Sequence, residues 1–302
     1  MDPSAASAAD FVQLRRRERM PPRRQPTARQ ERLGTELRKL REAAGMTARE
    51  AAGLLGTNPI QMSQMESGRA GISEERLRRL ASNYACADSD LVDALVAMAM
   101  ERGRGWWEEY RGAMSSGFLD LAELEHHARF LRTIDIVNIP GLMQTEEYAR
   151  AVFGYLVPPM PQGEIDSRVA HRMHRRVVLS GDAPTEYRSV IHEAALRFKV
   201  VDSKVARAQI ELVLQMSEWE NVTVRVIPFS VDGFAGANCS MLHAGGPVPQ
   251  LDTVQLDAPL GGGFLDARSQ VARFGSLFRK VEAASLGVEE SRDFLRQMVN
   301  EL

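Results

Sequence analysis

Residues 35–69, TELRKLREAAGMTAREAAGLLGTNPIQMSQMESGR, restrict the possible folds of this chain more than any other stretch. Leu33, Leu37 and Leu40 stripe one helix, and Gly45 stops it. Thr47 caps a second helix, and Glu50 three residues later completes a capping box. Ala51, Ala52, Leu54 and Leu55 face inward, and Gly56 ends that helix. Asn58 caps a third, with Pro59 at the first helical position, where its missing N–H costs nothing. Ile60 or Met62, together with Met65, forms the apolar side of this third helix, and Gly68 ends it. Ser73 caps a fourth, with Leu77, Leu80 and Tyr84 inward. Short helices broken by glycines at this spacing form a helix-turn-helix, the unit that lays a helix in a DNA major groove.

The chain has 302 residues, room for about two domains. At 44% hydrophobic and 26% charged, most of it reads as globular protein. No apolar run approaches the roughly 18 residues of a membrane span. The Arg-rich start has no apolar signal region, so the expected location is the cytoplasm, associated with the nucleoid. Cys86 and Cys239 make neither a disulfide framework nor a zinc set and read as reduced thiols. Residues 1–85 hold 16 Arg/Lys and 10 Asp/Glu, a net +6, which leaves −8 for residues 86–302. A basic first third favours a polyanionic partner there and an acidic remainder turns DNA away.

Four segments follow. Residues 1–30 are rich in Ala, Ser, Pro and Arg, with Arg15, Arg16, Arg17, Arg19, Arg23 and Arg24 clustered. Such a segment buries too little to order itself. It reads as a phosphate-neutralising arm, or as a plain disordered tail, or as sequence upstream of a true start at Met20. Residues 31–85 are the helix-turn-helix domain. Residues 86–120 are a helical connector: LVDALVAMAM, then ERGRG, then WWEEYRG. Residues 121–302 mix periods. Helical stripes fall at 121–132, 145–155, 164–180, 203–219, 267–283 and 289–301. Strand-like runs fall at 134–139, 187–192, 222–228, 239–244 and 251–257. Val222, Val224 and Val226 alternate with Thr223 and Arg225, so that strand has one buried face. The expected class is multidomain: an all-α helix-turn-helix followed by a larger α/β or α+β domain.

Reading DNA needs base-contacting side chains near the start of the third helix and phosphate contacts on its flanks. Asn58, Gln61 and Gln64 lie outward, and an amide pairs bidentately with an adenine edge. Pro59 and, if exposed, Ile60 suit a thymine methyl. Ser63 reaches a base or a phosphate. Arg69, Thr47, Arg49 and Ser67 lie near the expected backbone path. Glu66 would repel phosphate, and an internal pair with Arg41 accounts for it better.

LRxLRExxGMT at 37–47, AxxLG at 52–56 and MSQMESGR at 62–69 resemble the Cro/CI-type (XRE) helix-turn-helix family. The resemblance implies the Arg41–Glu66 pair. It also implies a Gln at the start of the second helix, where this chain has Ala48 and so lacks one phosphate contact. WWEEYRG from Trp106, the 121–153 block with IPGLMQTEEYARA, HRMHRRVVL at 171–179, VIHEAALR at 190–197 and NVTVRVIPF at 221–229 resemble the C-terminal domain of WhiJ-like regulators of actinomycetes, also described as antitoxin-like. That resemblance implies a regulator of development or specialised metabolism and a small acidic partner protein.

No catalytic set emerges, so the expectation is a non-enzyme without cofactor or metal. His171 and His174 share a helix face, but Arg175 and Arg176 disfavour a cation; the stretch reads as a solvated basic face. His192-Glu193 lacks the second His of a zinc motif. His126-His127 reads as straddling a helix surface, and Cys239 as a plain strand thiol. GGGF at 261–264 is too weak a signal for a phosphate cradle. Trp106, Trp107 and Tyr110 suit core packing, a ligand pocket or an interface. The leading expectation is a homodimeric DNA-binding transcriptional regulator on a roughly palindromic double-stranded operator, whose C-terminal domain senses a partner or ligand. The alternative is an antitoxin-like protein whose main task is holding a small neighbouring-gene partner. A DNA-tethered enzyme is a third reading.

Overall fold

The structure, a computed structural model, describes residues 25–101, 105–232, 234, 240–257 and 263–302. Its first unit is helical: α1 (Ala28–Ala43), α2 (Ala48–Leu54), α3 (Pro59–Glu66), α4 (Glu74–Asn83) and α5 (Ser89–Met100). Local chemistry sets the ends. Thr27, Thr47, Asn58, Ser73 and Asp88 each accept a first-turn backbone N–H, satisfying donors that a helix start leaves orphaned. Gly45, Gly56 and Gly68 stop α1, α2 and α3 with positive φ. Helix α1 starts three residues inside the segment read as an arm. Helix α5, read as part of a connector, packs Leu91, Leu95 and Val96 into one core with Leu37, Met62, Leu77 and Leu80.

Two glycines let α3 lie against α1. A Cβ on Gly34 would stand 2.5 Å from the Glu66 carbonyl oxygen. One on Gly68 would stand 2.7 Å from the Gln30 backbone. Backbone cannot yield as a side-chain end can, so any other residue there pries the helices apart.

The second unit runs through a 3-10 turn at Trp106–Tyr110, then α6 (Ser116–His126), β1 (Phe130–Asp135), α7 (Glu146–Gly154), α8 (Gln162–Arg175), β2 (Glu186–His192), α9 (Glu193–Arg197), α10 (Ser203–Met216) and β3 (Val222–Ile227). It continues with β4 (Met241–Gly245), β5 (Thr253–Leu256), β6 (Gly263–Leu265), α11 (Arg268–Ala284) and α12 (Val288–Glu301). The sheet order is β3-β2-β1-β4-β5-β6. β1, β2 and β3 are parallel, joined by helical crossovers, while β4, β5 and β6 are antiparallel. One face packs on Tyr148, Val213, Met216 and Leu295; the other packs on Val271, Phe278 and Val281 of α11. A helical helix-turn-helix unit followed by an α/β domain is the class the sequence implies.

The first strand departs from the expected 134–139, and α6 ends six residues before the expected 132. Leu131 and Thr133 alternate with Phe130 and Arg132 between two partner strands, so cross-strand pairing overrides the helical stripe. The chain leaves the sheet after Asp135, towards Pro140.

The units dock through α1. Arg32 donates to the Gln250 carbonyl at 2.6 Å and pairs with Asp266 at 3.4 Å. Gln250 donates to Asp88 at 2.6 Å, and Leu251 enters the helical core. Ala28 N–H donates to Asp120 at 3.0 Å.

Gly34→Ala is expected to destabilise the helical unit by about 1–3 kcal/mol. Gly53→Ala, where a Cβ meets nothing within 4 Å, should be neutral or stabilising by about 0.5–1 kcal/mol. Urea denaturation followed by circular dichroism measures both.

Candidate nucleic-acid interface

The Asn58 side chain accepts the Gln61 N–H at 2.9 Å, starting α3 cleanly. Met62 and Met65 then point into the core at 0% and 4% exposure. That settles which residue is apolar filling: Met62 is inside, and Ile60 stands outward at 70% exposure. Asn58, Pro59, Gln61, Ser63 and Gln64 are exposed beside it. The Thr57 hydroxyl donates to Gln61 Oε1, which leaves the Gln61 NH₂ free to donate. Arg69 is exposed one residue past Gly68, and Arg49 is exposed on α2. Ser67 is half-buried, its hydroxyl donating to the Gln64 carbonyl at 3.2 Å. Thr47 has less to offer: its N–H and hydroxyl both donate to Glu50 Oε2 at 2.7 Å.

Arg41 and Glu66 hold α3 in place from behind. Arg41 donates from Nε and Nη2 to the two Glu66 oxygens at 2.6 and 2.9 Å, and from Nη1 to the Met46 carbonyl at 2.7 Å. Both side chains are over nine-tenths buried. Glu66 therefore faces inward. Burial pushes the adjoining Tyr84 hydroxyl up to about 12, with the Glu66 charge adding to it.

The charge expectation changes in one respect. Residues 25–101 carry 10 Arg/Lys against 11 Asp/Glu, a net −1. Much of the basic excess lies in residues 1–24, outside the described residues with Arg15, Arg16, Arg17, Arg19, Arg23 and Arg24. The rest was offset once α5, with Asp90 and Asp93, joined the helical unit.

In the second unit His126, His127, His171 and His174 pack against the Trp106–Tyr110 turn. Trp106 stacks on His174 with ring centres 4.1 Å apart, and Trp107 lies against His126 at 5.0 Å. Burial pushes His171 and His127 down to about 3, so both stay neutral. His192 caps α9 by accepting the Ala194 N–H. Among the described residues no three His, Cys, Asp or Glu side chains gather for a metal. Cys239, Gly261 and Gly262 lie outside the described residues.

The stretch read as a solvated basic face is solvated only in part: His174 is exposed, but most of its basic side chains are turned inward. His171 and Arg175 are buried, and Arg175 holds Glu125 bidentately at 2.5 and 2.8 Å. Arg172 donates to Gln144 at 2.6 Å, and Arg176 to the Leu142 carbonyl at 3.1 Å. Beneath them Thr133 donates to Ser189 at 3.0 Å, and Asp135 Oδ2 is buried without a partner. Desolvation, with a further push from Asp257, raises the Asp135 carboxyl to about 8. Sequence periodicity missed this polar seam, because its members come from α6, β1, the β1–α7 connection, α8 and β2, and only β1 alternation hints at it.

An exposed helix clamped on a glycine-jointed helical unit is a helix-turn-helix arrangement, and a helix-turn-helix domain model matches residues 32–95. The family described as "domain of unknown function (DUF5753)" matches residues 118–297, and the chain belongs to that family. No curated protein and no solved structure matches it.

Glu66→Ala strands the Arg41 charge in the core and should cost about 3–5 kcal/mol. The double variant Arg41→Met with Glu66→Leu should lose less than either Arg41→Met or Glu66→Leu alone, by urea denaturation.

Asp135 obeys a definite sign. Its folded value lies above the unfolded value of about 3.9, so the native state takes up a proton between the two. Stability contributed by the protonated form is full at low pH and is lost as pH rises to about 8. Asp135→Asn should therefore raise Tm more at about pH 8 than at about pH 4, a difference above about 1 kcal/mol.

Proposed function

We propose that this protein is a sequence-specific DNA-binding transcriptional regulator. The exposed outer face of α3, amide-rich and unobstructed by the second unit, carries the proposal. Gln61 and Gln64 read adenine edges, and Pro59 and Ile60 meet thymine methyls. Asn58 and Ser63 supply further polar contacts near the start of the helix. Arg49, Arg69 and Ser67 hold phosphates, and Thr47 joins them only if Glu50 releases it. One such unit, with net charge −1, makes few phosphate contacts. Useful affinity then comes from two half-sites, hence a homodimer on a near-palindromic operator. The C-terminal domain serves regulation rather than catalysis, which agrees with its likeness to WhiJ-like actinomycete regulators. Cytoplasmic, nucleoid-associated residence follows from the same reading.

A second reading has its own observation. Tyr155 and Val157 are 89% and 91% exposed, with Leu156 between them at 43%. A contiguous apolar stretch of this kind suits a protein partner, which is the antitoxin-like alternative with its small acidic partner. Co-purification with the neighbouring gene's product, lost in Tyr155→Ser with Val157→Ser, favours that reading.

Gln64→Ala is expected to change relative affinities among operator variants by about 1–3 kcal/mol. Arg69→Ala is expected to weaken all sequences alike and lower the salt slope by about one. Fluorescence anisotropy on the protein's own upstream DNA, across a salt series, checks both. Unchanged base preference in Gln64→Ala overturns the readout assignment.

A further inference from the structure

A cavity of about 470 Å³ opens on the α11 side of the sheet, lined by Arg132, His243, Asp252, Arg268, Gly275 and Arg279. That volume is in the range of small-molecule sites. Its charge is unbalanced. Among the described residues none of its three arginines pairs with a carboxylate, whereas its acids are committed. Asp252 accepts the Gly246 N–H at 3.0 Å and faces His243 Nε2 at 3.1 Å, and Asp266 is held by Arg32 and Lys39. Arg132 stands opposite His243 across β1 and β4, its guanidinium carbon over the Phe130 ring at 4.2 Å from the ring centre.

His243 is the second observation. It is 4% exposed, and its Nδ1 has no hydrogen-bond partner. Asp252 faces the ring through Nε2, so Nδ1 is the ring nitrogen left without a partner, shielded from solvent beside Gly275. A buried ring nitrogen without a partner costs free energy that a ligand hydroxyl, able to donate or accept, would recover on reaching it. Gly275 keeps the place open: a Cβ there would lie 3.5 Å from His243 Cε1 and 3.8 Å from Nδ1.

The same walls carry the dock. Gln250, which holds Arg32 and Asp88, and Asp266, which pairs with Arg32, both line the cavity. We propose that this cavity is an effector site for a small hydroxyl-bearing dianion, a sugar phosphate or a hydroxy-dicarboxylate. Its occupancy is transmitted to the helical unit through the Gln250–Asp252 segment and Asp266. Guanidinium forks grip the anionic group bidentately, and Nδ1 pairs with the hydroxyl. The effect on DNA rests on the regulator reading; the ligand site and its link to the dock do not.

Isothermal titration of the full chain without DNA tests it, with ribose 5-phosphate, malate and inorganic phosphate as probes. Ribose 5-phosphate or malate is expected to bind with a Kd below about 1 mM, and inorganic phosphate more weakly, since it lacks a carbon-borne hydroxyl to reach Nδ1. Preference between the two organic probes tells phosphate ester from dicarboxylate. Arg132→Gln and Arg279→Gln should each weaken the bound probe about tenfold or more. Gly275→Ala, a helix-compatible change in van der Waals contact with the ring, should also weaken it, with circular dichroism unaltered. Because coupling is reciprocal, Arg32→Ala, outside the cavity, should shift probe affinity about fivefold or more. Absence of binding by all three probes at about 10 mM, or binding indifferent to the arginine and Gly275 variants, overturns the site. Binding indifferent to Arg32→Ala overturns the link. Loss of DNA binding in the Gln64→Ala series leaves these readings untouched, so the two ideas fail separately.

Discussion

Arg41 cannot be buried alone. Taking a guanidinium out of water costs several kcal/mol, and only a geometry that engages its donors recovers that. Glu66 and the Met46 carbonyl supply it, and in doing so they tie the last turn of α1 to the last turn of α3 and to the loop between α1 and α2. Gly34 and Gly68 permit the close approach this requires. With a domain's net stability only about 5–15 kcal/mol, one such pair is a large share of what holds the helical unit together. The outward direction of Gln61 and Gln64 follows from it: the pair and the two methionines fix the inner side of α3, so the outer side is what remains.

Features decided by neighbouring residues were legible in the sequence; features decided by distant ones were not. Caps at Thr47, Asn58 and Ser73 and stops at Gly45, Gly56 and Gly68 depend on backbone donors and φ within four residues, and all are present. Ile60 against Met62 was left open, because both fit an apolar stripe on so short a helix and only the packed core decides. The position of β1 differs from the expected one, because its register depends on β2, 56 residues on, and on β4, 107 to 115 residues on. Helix α5 looked like a connector since nothing local says which core receives Leu91 and Leu95. The arginines of α8 looked solvated for the same reason: a charge run carries no mark of the Glu125 or Gln144 that will meet it. Gly34 alone left a readable trace, a glycine inside a helical stripe, which usually marks a close approach.

The docking contact shares this non-local character and has a larger consequence. Arg32 sits one turn before the Leu37 core position and reaches out of the helical unit to Gln250 and Asp266. An isolated helix-turn-helix would tumble on its linker. Here α1 is simultaneously the scaffold for α3, through Arg41, and the handle by which the second domain holds the unit, through Arg32. The two guanidiniums are nine residues apart on one rigid helix, so displacing the handle displaces the recognition helix with it.

Dimeric reading of a palindrome requires two recognition helices about 34 Å apart, one turn of DNA. On the proposed function that spacing is not a property of the helical unit, whose own net charge of −1 gives it little non-specific hold on DNA. It is inherited from the α/β domain through the Gln250–Asp252 segment. A displacement of an ångström or two at Arg32 is then enough to move a half-site out of register, because a major-groove contact is lost over that distance. A domain placed to control such a contact needs no catalytic chemistry. It needs two arrangements of the segment next to Asp252 and something that distinguishes them. Arg132, Arg268 and Arg279, with no carboxylate partner among the described residues, and the His243 nitrogen lie beside that segment.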